Sequence, residues 1–98
     1  MKIYQYNGKA NVVDSRVYAA RQARNLSQAD LSARLQLENV LIEQKAISRI
    51  ERGERVVTDY EVLTLAKVLQ VEVAWLLTGK SPTQEPPYST VEPNKSVL

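Results

Sequence analysis

An all-α fold of five short helices is what this sequence predicts, and three observations carry the prediction. Apolar residues gather on one side of the helical wheel in successive short stretches. Two of those stretches open on a hydroxyl residue followed three positions later by an acid, Ser27 with Asp30 and Thr58 with Glu61. Such pairs satisfy the free N–H groups of a helix start from both directions. A glycine, Gly53, follows another stretch where a left-handed C-cap is needed.

The elements follow in order. Asn7-Gly8 lies between Ile3-Tyr4-Gln5-Tyr6 and Ala10-Asn11-Val12-Val13, the strongest short hairpin signal available. Two isolated strands are marginal, so residues 1–12 are read as an N-terminal arm, either a hairpin leaning on a surface or irregular. The first helix is expected from about Ser15 to Arg24, started by Asp14 or Ser15, with Val13, Val17 and Ala20 facing inward. The second runs from Gln28 to about Glu38 behind the Ser27 cap, with Leu31, Leu35 and the stem of Arg34 near the core. Asn39-Val40-Leu41-Ile42 is a connection, and Glu43 opens the third helix, where its charge suits the positive helix end. The fourth starts at Thr58-Asp59-Tyr60-Glu61 and turns Val62, Leu65, Ala66 and Leu69 inward. The fifth spans Val73 to Leu77 and is closed by Thr78-Gly79, with Val73, Leu76 and Leu77 clustered and Trp75 roughly opposite. All four prolines stand at 82, 86, 87 and 93, among Ser, Thr, Gln and Asn. Residues 80–98 therefore read as an extended or disordered tail, and residues 13–79 as the folded domain.

Ninety-eight residues make one small domain with a modest core. The absence of cysteine excludes disulfides, thiolate metal sites and thiol nucleophiles. The absence of histidine removes the commonest general base and metal ligand. No Gly-rich phosphate loop is present either. The chain is expected to be no enzyme and to need no metal or other cofactor. Met1-Lys2-Ile3-Tyr4-Gln5-Tyr6 lacks the apolar segment of a signal peptide, and no apolar run approaches the ~20 residues that span a bilayer. A soluble, cytoplasmic protein with no membrane partner is the expectation.

The third helix carries the functional signal. At 100° per residue, Lys45, Ser48, Arg49 and Arg52 fall on one face and Ile47, Ile50 and Glu51 on the other. The chain thus presents a cationic, hydrogen-bonding face on a helix anchored by two isoleucines, which suits the major groove of DNA. Net charge is only +2, but residues 14–55 hold eight basic and six acidic side chains, and residues 56–98 three and five. The positive potential lies in the half that carries this helix.

The pattern Arg21, Leu26-Ser27-Gln28-x-x-Leu31, Leu35, Ile47-Ser48-Arg49-Ile50-Glu51-Arg52-Gly53, Leu65-Ala66-x-x-Leu69, Val71 and Trp75-Leu76-Leu77 resembles the phage-repressor/Cro-type (Xre) helix-turn-helix family of transcriptional regulators. The resemblance covers roughly Val13 to Gly79. It departs in one place: nine residues, Glu38 to Ala46, separate the apolar positions Leu37 and Ile47, more than in compact members, which implies a longer connection between the second and third helices.

The resemblance implies roles residue by residue. Gln44, Lys45, Ser48 and Arg49 face base edges, with chemistry that fits: Gln pairs with adenine, and Lys or Arg with guanine. Gln28 resembles the family's phosphate-contacting glutamine, Ser27 doubles as cap and phosphate ligand, and Arg52 and Arg55 suit the flanking backbone. Arg21 resembles the arginine that pairs with the glutamate here at Glu51, an ion pair that orients the third helix more than it adds net stability. Trp75 either covers the edge of the core or makes a dimer contact. Family members bind two half-sites as symmetric dimers, and one small domain makes few base contacts, so a homodimer on a double-stranded DNA operator is implied. The resulting expectation is a sequence-specific transcriptional regulator, a repressor acting by operator occupancy and relieved by an antirepressor protein, proteolysis or dilution. The alternative is an antitoxin or protein-interaction module whose Pro-rich tail grips a toxin.

Overall fold

The computed structural model describes residues 5–81, and among them five α-helices follow one another: α1 (Asp14–Ala23), α2 (Gln28–Leu37), α3 (Gln44–Glu51), α4 (Asp59–Leu69) and α5 (Val73–Thr78). The all-α, five-helix prediction holds, with the bounds of the first, second and fifth helices within a residue of those expected. None of these helices is long and apolar enough to cross a membrane.

Helix starts follow local chemistry. Ser27 Oγ accepts the Asp30 N–H at 2.9 Å, and the Asp30 carboxylate accepts the Ser27 N–H at 3.0 Å. At α4 the Thr58 N–H donates to Glu61 Oε1 at 2.9 Å. The ends share one device. Asn25, Asn39, Gly53 and Gln70, all at positive φ, follow α1 to α4. At each, two N–H groups turn back to carbonyls of the last turn; at α3 these are Gly53 to Ile50 and Glu54 to Arg49. A side chain at 53 would also meet close neighbours. A Cβ there would lie 3.1 Å from Lys9 Cδ and 3.2 Å from Asp14 Oδ2.

The core runs through all five helices, with Val17, Leu31, Leu35, Ile47, Leu65 and Leu76 fully buried. α3 packs on both α1 and α2, while α4 packs on α1, α2 and α5. Arginines stitch the periphery. Arg24 donates to the Leu69 and Gln70 carbonyls at the end of α4, and Arg16 to the Leu76 carbonyl of α5.

Two expectations are corrected, and one is met as far as the described residues reach. Arg34 is exposed, because the core side of α2 is filled by Leu31 and Leu35 alone. Leu77 is exposed and does not join Leu76, while Trp75 packs half-buried against the core and covers its edge, one of the two readings given for it. A helix of six residues buries one narrow stripe, and Leu76 fills it. Of the hairpin, only its turn exists among the described residues. Tyr6 and Lys9 form an isolated antiparallel bridge over Asn7-Gly8, both at positive φ as a two-residue hairpin turn requires. After the turn the Ala10 N–H donates to the Gly53 carbonyl. Ile3, Tyr4 and the tail beyond Ser81 lie outside the described residues.

Candidate nucleic-acid interface

The site is built on α3, whose back is buried through Ile47 and Ile50. Glu51, one position further, points at α1. Arg21 Nε donates to Glu51 Oε2 at 2.7 Å and Nη2 to Oε1 at 3.0 Å, a two-pronged pair with side chains 9% and 6% exposed. Arg21 Nη1 donates to the Leu26 carbonyl at 2.8 Å, and its guanidinium lies 5.4 Å from the Tyr18 ring centroid. Hydrogen bonding to Glu51 holds the Arg21 pKa above its ordinary value.

Gln28 completes this cluster: its Nε2 donates to Glu51 Oε1 at 3.0 Å. A single buried carboxylate therefore gathers one side chain from α1 and one from α2. Every member of this network is hydrogen-bonded, as burial of charge demands. The amide of Gln28, expected on a phosphate, is directed at Glu51 and half-buried. Its carbonyl oxygen and remaining N–H stay available.

The opposite face of α3 is open. Gln44, Lys45, Arg49 and Arg52 are exposed and Ser48 is half-exposed. Arg52 Nη1 donates to Ser48 Oγ at 2.6 Å, and Arg52 reaches both oxygens of Glu54 at 3.2 Å. That pair holds the Glu54 carboxyl below its ordinary value. Gln28, Gln44, Lys45 and Ser48 line one shallow depression, so the starts of α2 and α3 converge on a polar patch.

Arg55 sits differently from its expectation as a residue aimed at the groove edge. Its terminal nitrogens donate to Glu61 Oε1 and Oε2 at 3.0 and 3.1 Å. Burial pushes the Glu61 carboxyl up, but Arg55 and the Thr58 N–H outweigh that and hold it below the usual value. The pair staples the α3–α4 loop to the start of α4.

Asn11 was not singled out in the sequence. Its Oδ1 accepts the Val13 N–H at 3.0 Å, and its Nδ2 donates to the Ile50 carbonyl at 3.1 Å and the Arg55 carbonyl at 2.9 Å. One amide thus joins the arm, the last turn of α3 and the following loop. A lone Asn forty positions upstream gives no spacing signal for such a contact.

On the far side of the domain, Val57, Tyr60, Leu63, Val73 and Leu77 line an open apolar groove of about 650 Å³ between α4 and α5.

Comparison with known proteins agrees with this geometry. Residues 17–76 match the family model described as "Helix-turn-helix" (HTH_3). No match is found among curated proteins. Among solved structures, the chain is similar to the P22 c2 repressor in complex with the synthetic operator 9T, crystallised in the presence of Tl+. Identity is 28% and the TM-score 0.61, over 71% of this chain and 98% of that one. It is also similar to the restriction-modification controller protein C.AhdI from Aeromonas hydrophila, with 27% identity and a TM-score of 0.60 over 72% and 99% of the two chains.

Proposed function

The chain belongs to the Xre/Cro-type helix-turn-helix family and is a DNA-binding transcriptional regulator; we propose that it is a repressor that reads double-stranded operator DNA as a homodimer and excludes RNA polymerase by occupancy. One observation carries this reading: α3 is held from behind by the Arg21–Glu51–Gln28 cluster while Gln44, Lys45, Ser48 and Arg49 stand open on its other face. A reading helix must be fixed in orientation and accessible in its chemistry; on α3 Gln44 and Lys45 are exposed, and Ser48 and Arg49 make only contacts at the surface, to Arg52 and to the Glu54 carbonyl, that a base edge can replace. The similarity to a repressor solved on its operator supports the same assignment.

In this mechanism Gln44, Lys45, Ser48 and Arg49 meet base edges in the major groove. The N-terminal end of α2, at Ser27 and Gln28, directs its free N–H groups at a phosphate. Arg52 exchanges Glu54 for a backbone phosphate. Arg55 contributes mainly by holding the loop in place, with its exposed edge turned to the flanking backbone. The homodimer is assigned to the apolar groove between α4 and α5, where Tyr60, Leu63 and Leu77 are exposed. Trp75, half-buried against the core, is not among the residues that line that groove. A second copy is the fitting occupant because two half-sites supply the base contacts that one small domain lacks. Nothing in the described residues favours the antitoxin alternative, which drew on the tail.

Selecting duplexes from a random pool tests the reading. A defined site with two related halves is expected, bound at least 10³-fold more tightly than scrambled DNA. On that site Arg49→Ala should cost ~1–3 kcal/mol while barely changing binding to scrambled DNA. Equal loss on both would make Arg49 a phosphate clamp, and no selected site at all would end the repressor reading. Sedimentation of Leu63→Glu against the parent protein tests the dimer.

A further inference from the structure

We propose that Leu41 is a specificity residue that reads the C5-methyl group of thymine beside α3; this rests on α3 being the DNA-reading helix. Leu41 belongs to the long α2–α3 connection and is 68% exposed, although its neighbour Ile42 is fully buried. The Ile42 carbonyl accepts Ser32 Oγ at 2.7 Å, so the connection is pinned to α2 and Leu41 is held outward at the start of α3.

The surroundings of Leu41 identify its partner. Lys45 lines two depressions, one on each flank of α3. One consists of hydrogen-bonding side chains, Gln28, Gln44 and Ser48. The other is formed by Leu41, Ile42, Glu43, Ala46 and Arg49, and there the apolar side chains of Leu41 and Ala46 lie beside the cations Lys45 and Arg49. Lys45 and Arg49 attract a polyanion, whereas Glu43 in the same depression repels a phosphate. A base edge meets both conditions, and the apolar group that a base pair offers in the major groove is the thymine methyl. Leu37 marks the contrast. It too is exposed, but it sits with Arg34, Glu38 and Val68 and with no residue of α3.

The test uses the full chain and the duplex obtained by selection, with thymines replaced one at a time by uracil, which removes only the methyl group. The parent protein should lose roughly four-fold in affinity at one or more positions, the value of one buried methyl. Leu41→Ala should bind the thymine duplex more weakly and be indifferent to that replacement, and Leu41→Met should keep the sensitivity. Because Leu41 is exposed, these variants should melt like the parent. The proposal is overturned if no uracil replacement weakens the parent, or if Leu41→Ala keeps the whole penalty. It is also overturned if Leu41→Ala weakens thymine and uracil duplexes by one common factor, the mark of packing on sugar or phosphate, or if it changes the oligomeric state. A parent protein that binds selected and scrambled duplexes alike would instead refute the reading of α3, and this proposal with it.

Discussion

Glu51 and Arg52 are adjacent in sequence, and each belongs to a guanidinium–carboxylate pair, but the two pairs face opposite sides of α3. Behind the helix, Arg21–Glu51 is nearly sealed from water, doubly hydrogen-bonded and supported by Gln28. In front, Arg52–Glu54 has side chains 56% and 53% exposed and geometry stretched to 3.2 Å. Desolvation makes the first pair costly to break and nearly worthless to exchange. Water and salt make the second cheap to leave. Identical chemistry therefore serves as a fixed anchor in one place and an exchangeable ligand in the other, with burial deciding which. Arg55–Glu61, with side chains 26% and 7% exposed, lies between them.

The largest expected effect breaks the rear pair. Glu51→Gln strands the Arg21 guanidinium and should destabilise the domain by ~3–5 kcal/mol, read as a lower denaturation midpoint. Replacing both residues by apolar ones of similar size should recover much of the loss. Simple additivity of single and double changes would show that the two are uncoupled.

The intermediate pair should show intermediate behaviour. Arg55→Ala leaves the buried Glu61 carboxylate with the Thr58 N–H and should cost about 1–3 kcal/mol. It also tests phosphate binding: a salt slope flatter by about one unit would give Arg55 a phosphate, and an unchanged slope would leave it a staple. The Glu61 carboxyl is held below its ordinary value of 4.5, so its contribution to stability is present above that value and lost as the pH falls through the folded one. Glu61→Gln should therefore melt earlier at neutral pH and lose less on acidification; parallel acid limbs would contradict this.

The smallest effect on folding belongs to the front. Arg52→Ala should leave the melt within error, yet weaken selected and scrambled DNA alike and flatten the salt slope by about one unit. A clear loss of stability would erase the contrast between the two faces.

Much of this arrangement was legible from residue order. Capping pairs at Ser27 and Thr58 and the left-handed stop at Gly53 depend on neighbours within a few positions, and α2, α3 and α4 formed where those signals stood. The opposition of Lys45 and Arg49 to Ile47 and Ile50 follows from helical period alone. The destinations of long polar side chains were not legible. Gln28 could reach a phosphate or Glu51 with one change of rotamer, and Arg55 could point outward or back to Glu61. Asn11 meets groups 39 and 44 positions away, a contact that only the closed fold creates. Leu77 misled because a six-residue helix lacks enough turns for its period to select one face.

The length of α3 has a consequence for dynamics. Eight residues is well short of the ~12–15 at which an isolated helix becomes even marginal in water. Its helical state is supplied from outside, by the Asn11 amide on its last turn, the carboxylate–guanidinium contact behind it and two buried isoleucines. Such a segment has no local opening of its own to visit. Beyond its exposed first turn, its hydrogen-bonded amide protons are expected to exchange with solvent only when the surrounding domain opens, with a free energy close to that of global unfolding. On the proposed reading the DNA-facing helix is thus among the last parts of this molecule to become dynamic, and a change that lowers domain stability multiplies the small fraction of molecules in which it is unwound, while the folded fraction stays near one until most of the stability is lost.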